Sequence, residues 1–137
     1  MQFSYFVGVD ISKDTLDAAL YPAKDRQKDF LHFNNTKKGL GEMMAWLKTL
    51  GVKRSDLLIC AEYTGVYTNT LIEFADRKGI ALSLNSPLDI KRSIGLVRGK
   101  NDAVDAARIA EFAYRRRENL RLYEKPCDAI MKMQYLL

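Results

Sequence analysis

The sequence predicts an α/β fold, a mixed sheet with helices on its faces. Three observations predict it. Strand-like runs come first and lie close together, later runs alternate with helical ones, and the composition is that of one soluble globular domain. The chain has 137 residues, 47% hydrophobic and 28% charged, a size that buries most of its apolar surface in a single core.

The first third reads as three strands. FSYFVGVDI (Phe3 to Ile11) is apolar, β-branched or aromatic, and the polar turn Ser12-Lys13-Asp14 follows it. In TLDAALY, Leu16, Ala18 and Leu20 face one way, and Thr15, Asp17 and Tyr21 the other. Residues 22–26 form a second turn, and QKDFLHF (Gln27 to Phe33) is the third strand. Such short connections favour a three-strand antiparallel meander.

A helix capped by Asn35 or Thr36 follows, with Leu40, Met43, Met44, Leu47 and Leu50 at helical spacing and Gly51 as its stop. DLLICAE (Asp56 to Glu62) is a short apolar strand buried on both faces. The loop Tyr63-Thr64-Gly65 leads into a helix carrying Leu71, Ile72 and Phe74, which stops near Gly79; IALSLN (Ile80 to Asn85) is the last strand. Ser86-Pro87 starts a further helix. NDAVDAARIAEFAYRRR is a helix with a stripe of small residues, Ala103, Ala106, Ala107, Ala110 and Ala113, which lets it lie close against a sheet. Alternation of strand and helix implies parallel strands joined by crossovers. Residues 3–120 are therefore expected to form one domain, and 121–137 the start of a further helical segment that is cut short.

The formal net charge of +5 is mild. It suits an anionic partner such as nucleic acid without requiring one. Cys60 and Cys127 are far apart, and His32 is the only histidine, which excludes a zinc cluster. A reducing cytoplasm fits this cysteine usage. The N-terminus carries no signal-peptide pattern, and no apolar run approaches the roughly 18 residues a membrane span needs.

Four acids stand out. Asp10 lies near the end of the first strand and Glu62 ends DLLICAE; sites gather at strand ends in such sheets. Asp102 and Asp105 are three apart and share a helix face. Gathered carboxylates repel unless cations neutralise them, and oxygen ligands without histidine or thiolate select Mg²⁺ or Mn²⁺. Two such ions can bracket a phosphodiester. Lys91, Arg92, Arg98, Lys100, Arg115 and Arg116 are the candidate nucleic-acid contacts. Each element also has a plain structural reading. Asp10 serves equally as a turn former, Asp102 as a complement to its helix dipole, Asp105 as a partner of Arg108 or Arg98, and the arginine run at 115–117 as a solvated helix end. Ser12 is read as a turn residue.

The motifs GVDISKDTLD, AEYTGVY and KNDAVDAARIA, in that order, resemble the N-terminal domain of the DEDD transposases, the Piv-invertase and IS-one-ten group of insertion-sequence enzymes. The resemblance spans about residues 3 to 117. It implies a RuvC-like (ribonuclease H-like) fold in which Asp10, Glu62, Asp102 and Asp105 are the metal-binding catalytic acids. It implies a recombinase that cleaves and transfers DNA in excision and integration, guided by a structured bridge RNA and assembled as a dimer or tetramer. Such enzymes also carry a coiled coil and a C-terminal domain with a nucleophilic serine, and nothing here matches that second domain. The nucleophile is then either that serine or a metal-bound water, and full recombination by these residues alone is not expected. The competing readings are a non-catalytic nucleic-acid-binding or oligomerisation module of a recombinase, and a RuvC-like junction-resolving nuclease.

Overall fold

The computed structural model describes residues 3–23, 29–87, 90 and 102–124, and of Asp102 and Ala103 the backbone only. Its first two strands, β1 (Tyr5–Ile11) and β2 (Thr15–Tyr21), pair antiparallel from Phe6↔Tyr21 to Ile11↔Leu16. The turn between them is held by the Ser12 amide, which donates to the Thr15 carbonyl at 2.9 Å. β3 (Phe30–Asn34) continues the meander on β2. β4 (Leu57–Glu62) and β5 (Ala81–Asn85) then add in parallel beside β1, giving the order β3-β2-β1-β4-β5. The meander followed by parallel strands is as expected.

Strand ends differ from expectation by a few residues. β1 begins at Tyr5 rather than Phe3. β3 begins at Phe30 and runs on to Asn34; of the expected Gln27 start, residues 27 and 28 lie outside the described set. Asp56 sits in a 3-10 turn, Arg54–Asp56, and not in β4. Polar residues flank each apolar run, so hydrophobic pattern marks the middle of a strand better than its ends.

Both faces of the sheet are covered. Val7, Val9 and Ile11 share a face with Leu16, Ala18, Leu20, Leu57, Ile59 and Ala61, and this face packs on α1 (Lys37–Thr49) and α2 (Asn69–Lys78). Thr36 caps α1, accepting from the Gly39 amide at 2.9 Å. Leu40, Met43 and Leu47 are buried with Trp46, while Met44 and Leu50 pack at the edge. Gly79, at φ 65°, ends α2 in the left-handed conformation that glycine adopts without strain. Pro87 is helical, and the Ile90 amide donates to the Ser86 carbonyl at 3.2 Å, in line with a helix start there.

The opposite face carries Phe6, Leu58 and Cys60 against Ile109, Phe112 and Ala113 of α3 (Asp102–Arg115). Burying a side chain such as Ile109 or Phe112 contributes about 1.5–3 kcal/mol. Small residues decide how close this helix comes. A Cβ on Gly8 would collide with the Ala106 carbonyl and the Ala110 amide, so α3 rests directly on the β1 backbone. Ala106, Ala110 and Ala113 are buried, but Ala107 is exposed. It lies about 100° round the helix from Ala106, and Ile109 and Phe112 complete the packed face instead. The Phe6 and Tyr114 rings meet at 5.7 Å. Since Phe6 precedes Gly8 and Tyr114 follows Ala110, α3 runs antiparallel to β1.

Candidate active site

A polar row crosses the sheet at the C-terminal edge of β1. Its register partners are His32↔Asp17, Asp17↔Asp10 and Glu62↔Asn85. The parallel β1–β4 register runs to Val9↔Ala61, so Asp10 and Glu62 are the next residues along two neighbouring strands. Strand spacing sets their backbones about 4.8 Å apart. Alternation places both on the face that carries Phe6, Gly8, Leu58 and Cys60, the face covered by α3. Both residues are half-buried.

The direction of α3 brings its N-terminal end to the same place. From the Gly8–Ala106 contact, Asp10 is two residues further along β1, a step of about 6.6 Å. Asp102 is one turn earlier on α3, a step of about 5.4 Å in the same direction. Asp102 opens the helix and Asp105, half-buried, lies within its first turn. Strand register and helix direction thus set the backbones of Asp10, Glu62, Asp102 and Asp105 toward one edge. Among the described residues, however, no three Asp, Glu, His or Cys side chains form a group that holds a metal ion; the Asp102 side chain is outside that set.

The row also holds residues the acidic motif did not include. Asp17 is buried, and its Oδ1 lies 2.7 Å from Nδ1 of the half-exposed His32. The signal was present in TLDAALY, whose alternation sets Asp17 against the apolar face, across a tight turn from Asp10. Asn85 Nδ2 donates to Ser83 Oγ at 3.0 Å and to Cys60 Sγ at 3.4 Å. Burial pushes the Cys60 thiol up to about 12; the Asn85 hydrogen bond lowers it less, and the Glu62 charge adds to the rise. Cys60 is therefore a neutral packing residue.

The loop after Glu62 is braced from below. Thr68, fully buried, accepts from the Thr64 amide at 2.9 Å, and the two threonine hydroxyls lie 3.0 Å apart. Above this brace Tyr63, Val66 and Tyr67 stand out at 53%, 72% and 42% exposure, an apolar and aromatic rim beside Glu62. Ser12 Oγ bonds within its turn, 3.0 Å from the Thr15 carbonyl, as expected for a turn residue.

Of the six basic candidates, Arg115 and Arg116 are among the described residues. Arg115 pairs with Glu111 at 2.6 Å, and the Arg116 guanidinium lies 5.6 Å from the Phe112 ring centroid. Both are at the end of α3 remote from Asp105. Lys91, Arg92, Arg98 and Lys100 lie outside the described residues. Among the described residues, no helix is long and apolar enough to cross a membrane.

This topology defines a mixed α/β sheet covered by helices on both faces, and comparison with known proteins adds the family. The chain matches the DEDD transposase family model of the IS110 type, described as transposase, over residues 7–137, and belongs to that family. Its fold is RuvC-like. It is similar to Thermus thermophilus RuvC in complex with a Holliday junction substrate, with a TM-score of 0.56 at 12% identity, covering 87% of this chain and 99% of that one. A second Thermus thermophilus RuvC structure gives 0.52 at 11% identity with the same coverage. No curated protein matches the chain in sequence.

Proposed function

We propose that the chain is the acidic catalytic domain of a DNA transposase, one that cleaves and transfers DNA strands with Mg²⁺ or Mn²⁺. The observation that carries this is the placement of Asp10 beside Glu62 on neighbouring parallel strands, with the Asp102–Asp105 end of α3 directed to the same edge. Brought together, these four acids would offer an all-oxygen donor set, which suits a hard divalent cation. Bound there, the ion would polarise a scissile phosphodiester and activate the attacking oxygen. Tyr63 and Tyr67 offer exposed rings on which an unpaired base can stack. DNA is the partner this reading requires, and the similar RuvC structure was solved on a Holliday junction. A structured guide RNA and assembly as a dimer or tetramer belong to the same proposal.

A second reading is a nucleic-acid-binding module without metal chemistry. It is favoured by the lack, among the described residues, of a three-ligand group. Calorimetric titration of Mn²⁺ and Mg²⁺ separates the two. The first reading expects binding to the wild type that is weakened at least tenfold in Asp10→Ala and in Glu62→Ala. An isotherm unchanged by either substitution would leave only the second.

A further inference from the structure

Six basic residues surround one groove on the side of the sheet away from α3. The groove lies between α1 and α2, encloses about 1010 Å³, and is bordered by Lys37, Lys38, Lys48, Lys53, Arg54 and Lys78. All six are exposed. Its floor is apolar, formed by Met44, Val52, Phe74 and Ile80, and no carboxylate lines it among the described residues. On the neighbouring rim Glu73 is 3.9 Å from Arg77.

The pattern is organised by helix geometry. Lys37, Gly41, Met44 and Lys48 follow one another at steps of four, three and four, a single stripe of α1. Lys37 and Lys48 are eleven residues apart on this helix, a span of about 16 Å. One strand of a duplex advances about 3.4 Å per nucleotide, so the stripe matches the backbone of about five base pairs. Lysine suits this task as a mobile point charge that follows phosphates without reading bases. Phe74 is only 6% exposed, so the floor offers no ring for a splayed base, which favours a duplex over a stacked single strand. The chain's own net charge of +5 disfavours a second copy as the occupant.

From this charge, shape and span we infer that the α1–α2 groove is a second DNA-binding surface, holding duplex DNA by its backbone on the face opposite the acidic edge. The inference rests on DNA being the partner in the proposed function and adds a second segment of it. A single straight duplex does not reach both faces of the sheet. The groove therefore receives either another duplex or the bent continuation of the one at the acids.

The test is fluorescence anisotropy of the full chain with a labelled 20-base-pair DNA, in EDTA, across a series of salt concentrations. Each neutralised phosphate contact changes log K against log[salt] by about 0.9. Lys48→Gln/Lys53→Gln is expected to weaken binding at least tenfold and to reduce the slope by about 1.8. Arg121→Gln, a charge removed from another surface, is expected to leave both near the wild-type values. Gly41→Leu fills the stripe without changing charge, since a Cβ there meets nothing within 4 Å, and is expected to weaken binding as well. Equal losses in the groove and control variants, or no loss in the groove variants, would overturn the inference. So would tighter binding of a duplex RNA of the same length, or no DNA binding by the wild type. EDTA removes divalent ions from the assay, and the metal titration above is run on the same proteins. Failure of the groove and failure of the acidic site are thus read separately.

Discussion

Nδ1 of His32 and Oδ1 of Asp17 lie 2.7 Å apart, pairing an imidazole that is 55% exposed with a carboxylate that is only 7% exposed. The pair ties β3 to β2 in the same row as Asp10. Truncating His32 to Ala removes this partner from a buried acceptor, at a cost of about 1–3 kcal/mol. The two residues act as a unit, so the Asp17→Asn/His32→Ala double variant should lose less than the sum of the single losses. Urea denaturation of the cycle measures this; additivity within about 0.5 kcal/mol would mean the pair is not coupled.

Gly8→Ala is expected to destabilise the fold by at least about 1–3 kcal/mol, the usual cost of overpacking. The colliding atoms are helix backbone, which has no side chain to turn aside. Any metal affinity should fall with it, because α3 carries Asp102 and Asp105. Chemical denaturation and metal titration of the variant check both outcomes. A Gly8→Ala protein as stable as wild type would show that α3 does not rest on β1.

Cys60 should resist alkylation in the folded chain at pH 8 and react once the chain is unfolded. Its thiol stays protonated up to about pH 12, against 9.0 for an unburied thiol. The folded state therefore holds a proton that the unfolded state releases between those values. This contribution to stability is present in full below pH 9 and declines as pH rises toward 12. Mass spectrometry of the Cys60 peptide after timed iodoacetamide labelling tests the first part. Labelling as fast as in denaturant would contradict the burial.

Gly41→Ala should stabilise the chain by about 0.5–1 kcal/mol, the helix-propensity gain at an exposed helical site. Gly41 lies inside α1 with open space around it. Thermal unfolding reads the gain. A lower melting temperature would mean that the position needs glycine for a reason other than space.

Much of this molecule could be read before folding it. The apolar cores of β1, β2 and β4 were visible as alternating or continuous runs, and the alternation of later strands with helices implied parallel pairing; that β1 lies beside β4 is seen only in the register. Asp10 and Glu62 were legible as strand-end acids because each stands at or near the close of an apolar run. The edge strand was harder: FLHFN is short and half exposed, so its pattern is weak. Ala107 was misplaced by counting small residues and not their angle round the helix. The basic groove was not legible at all. Lys37, Lys48, Lys53 and Lys78 are scattered through the chain, and only the packing of α1 beside α2 draws them together.

The glycine under α3 has a consequence for how the site comes into being. With no side chain between strand and helix, the two halves of the acidic set share one reference surface, the backbone of β1. The relative placement of β1 and α3 is therefore a property of the folded domain as a whole, acquired and lost with its global cooperativity.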